Sequence, residues 1–148
     1  TAAEGYVQLG IHLDANEELE AISPDPRHTT PVLAVRLQIF AGMKRWELMR
    51  TAAAKLAEHE PNEPQWPISL AYATRRAESI KAAKPILEDA ATRIPGAPML
   101  HFNLACYECE LGNVAAAKER VSRAIELAPE CRQAALEDED LQPLWAAM

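Results

Sequence analysis

The chain has 148 residues, 49% apolar and 25% charged, the mix of one soluble globular domain or compact array rather than of a membrane-embedded or disordered chain. Its formal net charge of −7 excludes nucleic acid and an anionic membrane surface as main partners, because both need a basic face. Five glycines among many alanines, leucines and glutamates favour helix, and eleven prolines then fit only short helices with a proline at each joint.

Residues 1–29 read as a truncated helical pair. About Ala2 to Gly10 is the end of a helix that begins before Thr1, and Asp14 caps a partner running to Ile22. TAAEGYVQLG lacks a basic region ahead of an apolar core, so it is no signal peptide. No apolar run nears the roughly 18–20 residues that a bilayer needs. Ser23-Pro24-Asp25-Pro26 breaks the chain. The next helix is expected from about Thr30, its cap, to Gly42, with Pro31 in the first turn, and its partner from about Arg45 to Glu58. A third pair covers about Pro64 to Ala77 and Ser79 to Ile94; Pro85 predicts a kink there or a late start near Ala83.

The fourth pair, Pro98 to Pro129, is the most regular. Leu100, Leu104, Tyr107 and Leu111 form one helical stripe. Gly112-Asn113 reverses the chain, and Val114, Ala117, Val121, Ala124, Ile125 and Ala128 form a second stripe. Glu119 and Arg123 stand in the favoured acid-then-base order. Beyond Pro129, a short helix from Glu130 to Leu136 is expected. A last helix, capped by Asp138 or Asp140, carries Leu141, Leu144 and Trp145 over the open end.

The pairs repeat. Pro61, Pro95 and Pro129 stand at steps of 34 residues, and the same step aligns Ala117 with Ala83 and Met49, Val121 with Leu87 and Ala53, and Ala124 with Ala90 and Leu56. A small residue where helices cross lets them approach closely. A 34-residue helix–turn–helix ending in proline resembles the tetratricopeptide repeat (TPR). The matches are Leu104, Ala105, Gly112, Ala117, Val121, Ala124 and Pro129 in the fourth unit, and Leu70, Ala71, Ala83, Leu87, Ala90 and Pro95 in the third. Leu37, Phe40, Leu56 and Pro61 carry the second unit, and Tyr6, Gly10, Ala15 and Leu19 the first.

The resemblance implies one all-α domain over 1–148: a right-handed superhelical array of about three and a half to four antiparallel pairs. Its units are about 1–29, 30–63, 64–97 and 98–131, with a C-terminal cap over 132–148. It also implies a concave groove lined by the first helices, which binds a peptide or segment of another protein. Helical spacing places Val35, Gln38 and Ala41-Gly42 in that groove, then Ser69, Tyr72, Arg75 and Arg76, then Phe102, Asn103, Cys106 and Cys109. Some members grip a C-terminal carboxylate with lysines, an arginine and asparagines, and the basic residues of that set are missing here. Ala34, Gln38, Ser69, Met99 and Asn103 stand there, or Glu4, Val35, Gln65 and Ser69 in the other frame.

Arg75-Arg76, with Lys81 and Arg93, form a basic cluster suited to anchoring an acidic peptide. Cys106 and Cys109 form CxxC, with His101 nearby. Zinc wants four ligands and no second pair exists, while a redox CxxC opens a helix after a strand. The cysteines therefore read as groove-wall residues, with no metal and no cofactor assigned. Glu137 to Asp140 lacks the alternating ligands and glycine of a calcium loop and reads as a solvated capping turn. Trp46 and Trp66 are expected to pack between adjacent units. Three cysteines, an odd number, argue against a disulfide framework and for a reducing compartment, the cytoplasm. Neither a catalytic constellation nor a Gly-rich phosphate loop is present, so an enzyme is not expected.

The sequence thus reads first as a non-catalytic protein–protein interaction scaffold. The alternative is a regulatory or accessory segment of a larger protein or assembly. A metal- or small-ligand-binding protein using Cys106 and Cys109 ranks third.

Overall fold

The structure, a computed structural model, describes residues 26–147, with side chains over 30–146. The truncated first pair expected from the sequence, with its Asp14 cap, lies outside the described residues. The described chain is all helical. It runs through α1 (Pro26–Gly42), α2 (Trp46–His59), α3 (Gln65–Ala77), α4 (Ile80–Arg93), α5 (Pro98–Glu110), α6 (Val114–Leu127), α7 (Cys131–Glu137) and a 3-10 helix (Glu139–Ala147). It divides between Ala77 and Glu78 into two compact units.

The 34-residue columns are the core. Leu37, Ala71 and Ala105 are buried, as are Met49, Ala83 and Ala117, and Ala53, Leu87 and Val121. Leu56, Ala90 and Ala124 are each 0% exposed. Leucine fills space in these columns and alanine lets backbones approach. Fully burying one leucine contributes about 1.5–3 kcal/mol, so these positions dominate the stability of each pair. In the first unit α2 packs on both α1 and α3, around Leu33, Leu37, Phe40, Met49, Ala53 and Leu56. In the second, α5 packs on α4 and α6, and the 3-10 helix packs on α5, α6 and α7.

Two turns share one chemistry. After α5, Gly112 adopts φ +83°, Asn113 N–H donates to Glu108 O at 2.8 Å, and Gly112 N–H donates to Cys109 O at 3.0 Å. These are the two bonds of a Schellman motif, which satisfies carbonyls that the helix leaves open. Two periods earlier the pattern recurs: Arg45 N–H donates to Phe40 O at 2.8 Å and Lys44 N–H to Ala41 O at 3.1 Å, with Lys44 at φ +58°. Lys44 thus stands in a left-handed conformation that costs a side-chain-bearing residue about 1–2 kcal/mol.

One helix start differs from the sequence expectation, while α4 starts where it is expected, at about Ser79. α1 begins at Pro26 rather than Thr30, which puts Pro31 inside the helix. Pro26 supplies the φ of a first helical residue, so the run of turn-formers ends one residue into the helix. α4 does not wait until Ala83. Ser79 caps it, its Oγ accepting from Ala82 N–H at 3.1 Å, and Pro85 sits inside. The N–H that Pro85 lacks is the one that would have met the Lys81 carbonyl in the first turn, so the proline costs one helical bond near the start of α4.

The tail folds against its own unit. Asp138 is the cap, its Oδ1 accepting from Asp140 N–H at 2.9 Å. Leu141 and Leu144 are buried, and Trp145, half-buried, donates from Nε1 to Ala135 O at 2.9 Å. Two local expectations fail. Arg123 pairs with Glu126 at 3.2 Å rather than with Glu119, and Val114, at the first position of α6, is exposed.

Candidate functional site

An aromatic and basic surface forms in the first unit, where the α1–α2 turn meets α3. The Schellman turn holds Lys44 and Arg45 outward, and α2 then opens on Trp46. Tyr72 on α3 meets the Trp46 ring edge-on, centroids 5.7 Å apart and planes at 83°. Arg76, one helical turn further along α3, lies with its guanidinium 5.0 Å from the Trp46 ring centroid, within cation–π range. These groups border an open pocket of about 380 Å³ lined by Lys44, Arg45, Trp46, Glu47, Leu48, Arg76 and Ala77. Glu47, the pocket's carboxylate, pairs with Arg50 at 3.4 Å. Lys44, Arg45 and Arg76 therefore set the charge of the pocket. Tyr72 and Leu48 are exposed large apolar groups beside it.

Tyr72 and Arg76 were both expected to face a partner, and the fold brings them together. It gathers their companions differently from the sequence grouping. Arg93 pairs with Asp89 on its own helix at 2.9 Å, while Arg76 joins Lys44, Arg45 and Trp46. Arg75 is half-buried. Trp46 and Trp66 do pack between adjacent helical pairs, and Trp66 Nε1 donates to Glu60 Oε1 at 2.9 Å. Trp46, however, also presents a ring face to Arg76, which the packing role alone did not foresee. The signal was available in the run Lys44-Arg45-Trp46 at a turn.

The other candidate groove residues have varied surroundings within their own units. Gln38 is exposed, and Val35 packs beside Ile39. Ser69 is buried, its Oγ accepting from Gln65 Nε2 at 3.1 Å. Phe102 and Cys106 are buried, and Asn103 Nδ2 donates to Met99 O at 2.8 Å.

The second unit keeps its polar groups inside. Lys84 Nζ donates to Glu108 Oε1 at 2.7 Å, and Asn113 Nδ2 donates to the same oxygen at 3.2 Å. That hydrogen bond to Glu108 is the main cause that raises the Lys84 ammonium above its ordinary 10.5, against the opposing effect of burial. His101, also buried, stands 2.9 Å from Pro95 O through Nε2 and 3.1 Å from Arg120 Nη1 through Nδ1. A carbonyl only accepts and a guanidinium only donates, so the proton sits on Nε2 and both ring nitrogens are engaged. His101 is thus no partner for the CxxC.

All three cysteines are free. Burial first, then the charges of Asp138 and Asp140, push the Cys106 thiol far above its ordinary 9.0. Cys109 is raised by burial and then by Asp140 and Asp138, and Cys131 by burial and then by Glu130. A redox CxxC works through a thiolate stabilised near neutrality, and this environment does the opposite. Cys106 Sγ instead donates toward Asp138 Oδ2 at 3.8 Å.

No family model matches the sequence, and no curated protein matches it. Solved structures do. MamA superposes with a TM-score of 0.72 at 12% identity, covering 99% of this chain and 90% of that one. MamA 41-end from Desulfovibrio magneticus RS-1 gives 0.67 at 13% identity, over 86% and 72% of the two chains. YrrB, a TPR protein with an unusual peptide-binding site, gives 0.67 at 14% identity, over 90% and 70%. The likeness is one of fold: the chain has the all-helical, TPR-like arrangement of paired helices.

Proposed function

We propose that the protein is a non-catalytic interaction scaffold and that its first unit takes an acidic segment of a partner protein against Trp46, Tyr72 and Arg76. The observation that carries this is the Arg76 guanidinium held over the Trp46 ring beside a pocket whose other cations are Lys44 and Arg45. Arg76 held over a ring keeps its N–H fork for a carboxylate, and an Arg–carboxylate pair is among the stronger polar contacts. Trp, Tyr and Arg are also the residue types that concentrate binding energy at interfaces. In a chain of net charge −7, a local excess of cations favours an anionic partner over a neutral one. The likeness to YrrB, described as having a peptide-binding site, supports a peptide or protein segment as the ligand class. Among the described residues no helix is long and apolar enough to cross a membrane.

The test is binding to an array of peptides rich in Asp and Glu, with matched Asn and Gln versions as controls. Carboxylate-dependent, salt-sensitive binding is expected, falling at least tenfold in Arg76→Ala and in Trp46→Ala. Equal binding of acidic and amide peptides would remove the charge argument. Unchanged affinity in both variants would place the ligand elsewhere.

A further inference from the structure

We propose that Cys106, Cys109, Asp138 and Asp140 form a site for a thiophilic divalent cation of the zinc class, tying the start of the 3-10 helix to α5. The donors come from two elements far apart in sequence. Cys106 and Cys109 stand three apart on α5, so they leave the same face with Cβ atoms about 5–6 Å from each other. Asp138 and Asp140 flank the first residue of the 3-10 helix, and Asp138 Oδ1 is committed to the Asp140 N–H. That bond aims the other oxygen of Asp138 at the sulfur.

The fold then sets the two pairs against each other. Cys106 Sγ and one carboxylate oxygen from each of Asp138 and Asp140 all lie within 4.8 Å of one another. The Cys106 Sγ to Asp138 Oδ2 separation is 3.8 Å. A tetrahedral zinc ion, with bonds of about 2.3 Å to sulfur and about 2.0–2.2 Å to oxygen, puts its sulfur and oxygen ligands roughly 3.6 Å apart. One edge of the coordination tetrahedron is therefore already close to its final length. Cys109, half-buried on the same face one turn on, stands outside that trio and supplies the fourth donor by turning its side chain toward it. Two sulfurs beside two carboxylates select zinc-like ions over magnesium or calcium, which take oxygen alone. Cys106 is buried and Asp140 exposed, so an ion approaches from the Asp140 side.

Binding replaces a thiol–carboxylate hydrogen bond by metal bonds. The thiol protons of Cys106 and Cys109 leave to water, and the sulfurs keep the electron pairs that bind the ion. The ion joins residues 32 apart in sequence, so its affinity adds to the stability of the tail that carries Leu141, Leu144 and Trp145.

The experiment is titration of the chelator-treated protein with zinc, followed by calorimetry, and with cobalt(II), followed by absorption. One ion per chain is expected, with a thiolate-to-cobalt charge-transfer band, a higher melting temperature, and protection of Cys106 and Cys109 from a thiol reagent. Cys106→Ser is expected to remove the band. Asp140→Asn alters an exposed side chain, is expected to keep the fold, and should weaken zinc binding by about tenfold or more. If Cys106→Ser does not fold, Asp140→Asn together with the cobalt spectrum of the parent decides. The proposal is overturned by failure to saturate at micromolar zinc, by binding unchanged in Asp140→Asn, or by an ion that binds without the charge-transfer band.

Discussion

The two units use polar residues in opposite ways. The first displays them: Arg76, Lys44 and Arg45 surround a half-buried Trp46 at an open pocket. The second encloses them: Glu108, His101 and Cys106 are buried and each meets a polar partner. Both rest on the same apolar columns, so the repeat itself does not decide which role a polar residue takes. Position relative to the columns does. A polar group beside an exposed aromatic ring can meet a ligand, whereas a polar group on a buried face has to find its partner inside.

The comparison breaks first if the columns are not equivalent. Leu56→Ala and Leu87→Ala each delete a column side chain that is 0% exposed, one per unit. Each is expected to destabilise by about 2–5 kcal/mol in denaturant unfolding. A small effect in one unit alone would show that the units do not share a packing logic.

The next test separates display from enclosure. Lys84→Met leaves the buried Glu108 with only Asn113 as a side-chain partner and is expected to cost about 1–3 kcal/mol of stability, with peptide binding intact. Arg76→Ala should do the reverse, costing about 0.5–1 kcal/mol while removing binding. If both variants lost stability and binding together, the division between the units would fall.

Alkaline unfolding sharpens the picture of the second unit. The thiols of Cys106, Cys109 and Cys131 are raised above 9.0 in the folded chain and Lys84 above 10.5. The folded state therefore holds more protons than the unfolded state once pH passes these ordinary values, and stability falls as pH rises. In the presence of chelator, stability is expected to be flat up to about pH 9 and then to decline, more shallowly in Cys106→Ser. A rise in stability across that range would contradict the buried-thiol environment.

Much of this was legible in the sequence, for a physical reason. Leu56, Leu87 and Ala124 sit at positions where only apolar or small residues fit, and that restriction shows as periodicity. The Gly112 turn announced itself because glycine favours positive φ, while its counterpart at Lys44 did not, because lysine adopts that conformation only under the constraint of the fold. The sites were harder to see. Arg76 was visible as a cation, but its companions Lys44 and Arg45 come from another pair, and Arg93 turned to Asp89. Cys106 and Asp138 met only when the tail folded back, a contact with no periodic trace.

The smallest expected effect concerns Lys44. Lys44→Gly relieves a left-handed side-chain-bearing residue and should stabilise the first unit by about 1 kcal/mol or less, offset in part by greater freedom of the unfolded chain.

The same substitution deletes one of three cations from the pocket mouth. Engineering by repeat consensus would choose glycine at this column, and a screen ranked on melting temperature would reward the choice. Such a screen would drift toward a sturdier and less adhesive protein without touching a contact residue on α3. In the first unit, one backbone angle links durability to recognition, and the lysine that holds it is the place to watch when the scaffold is redesigned.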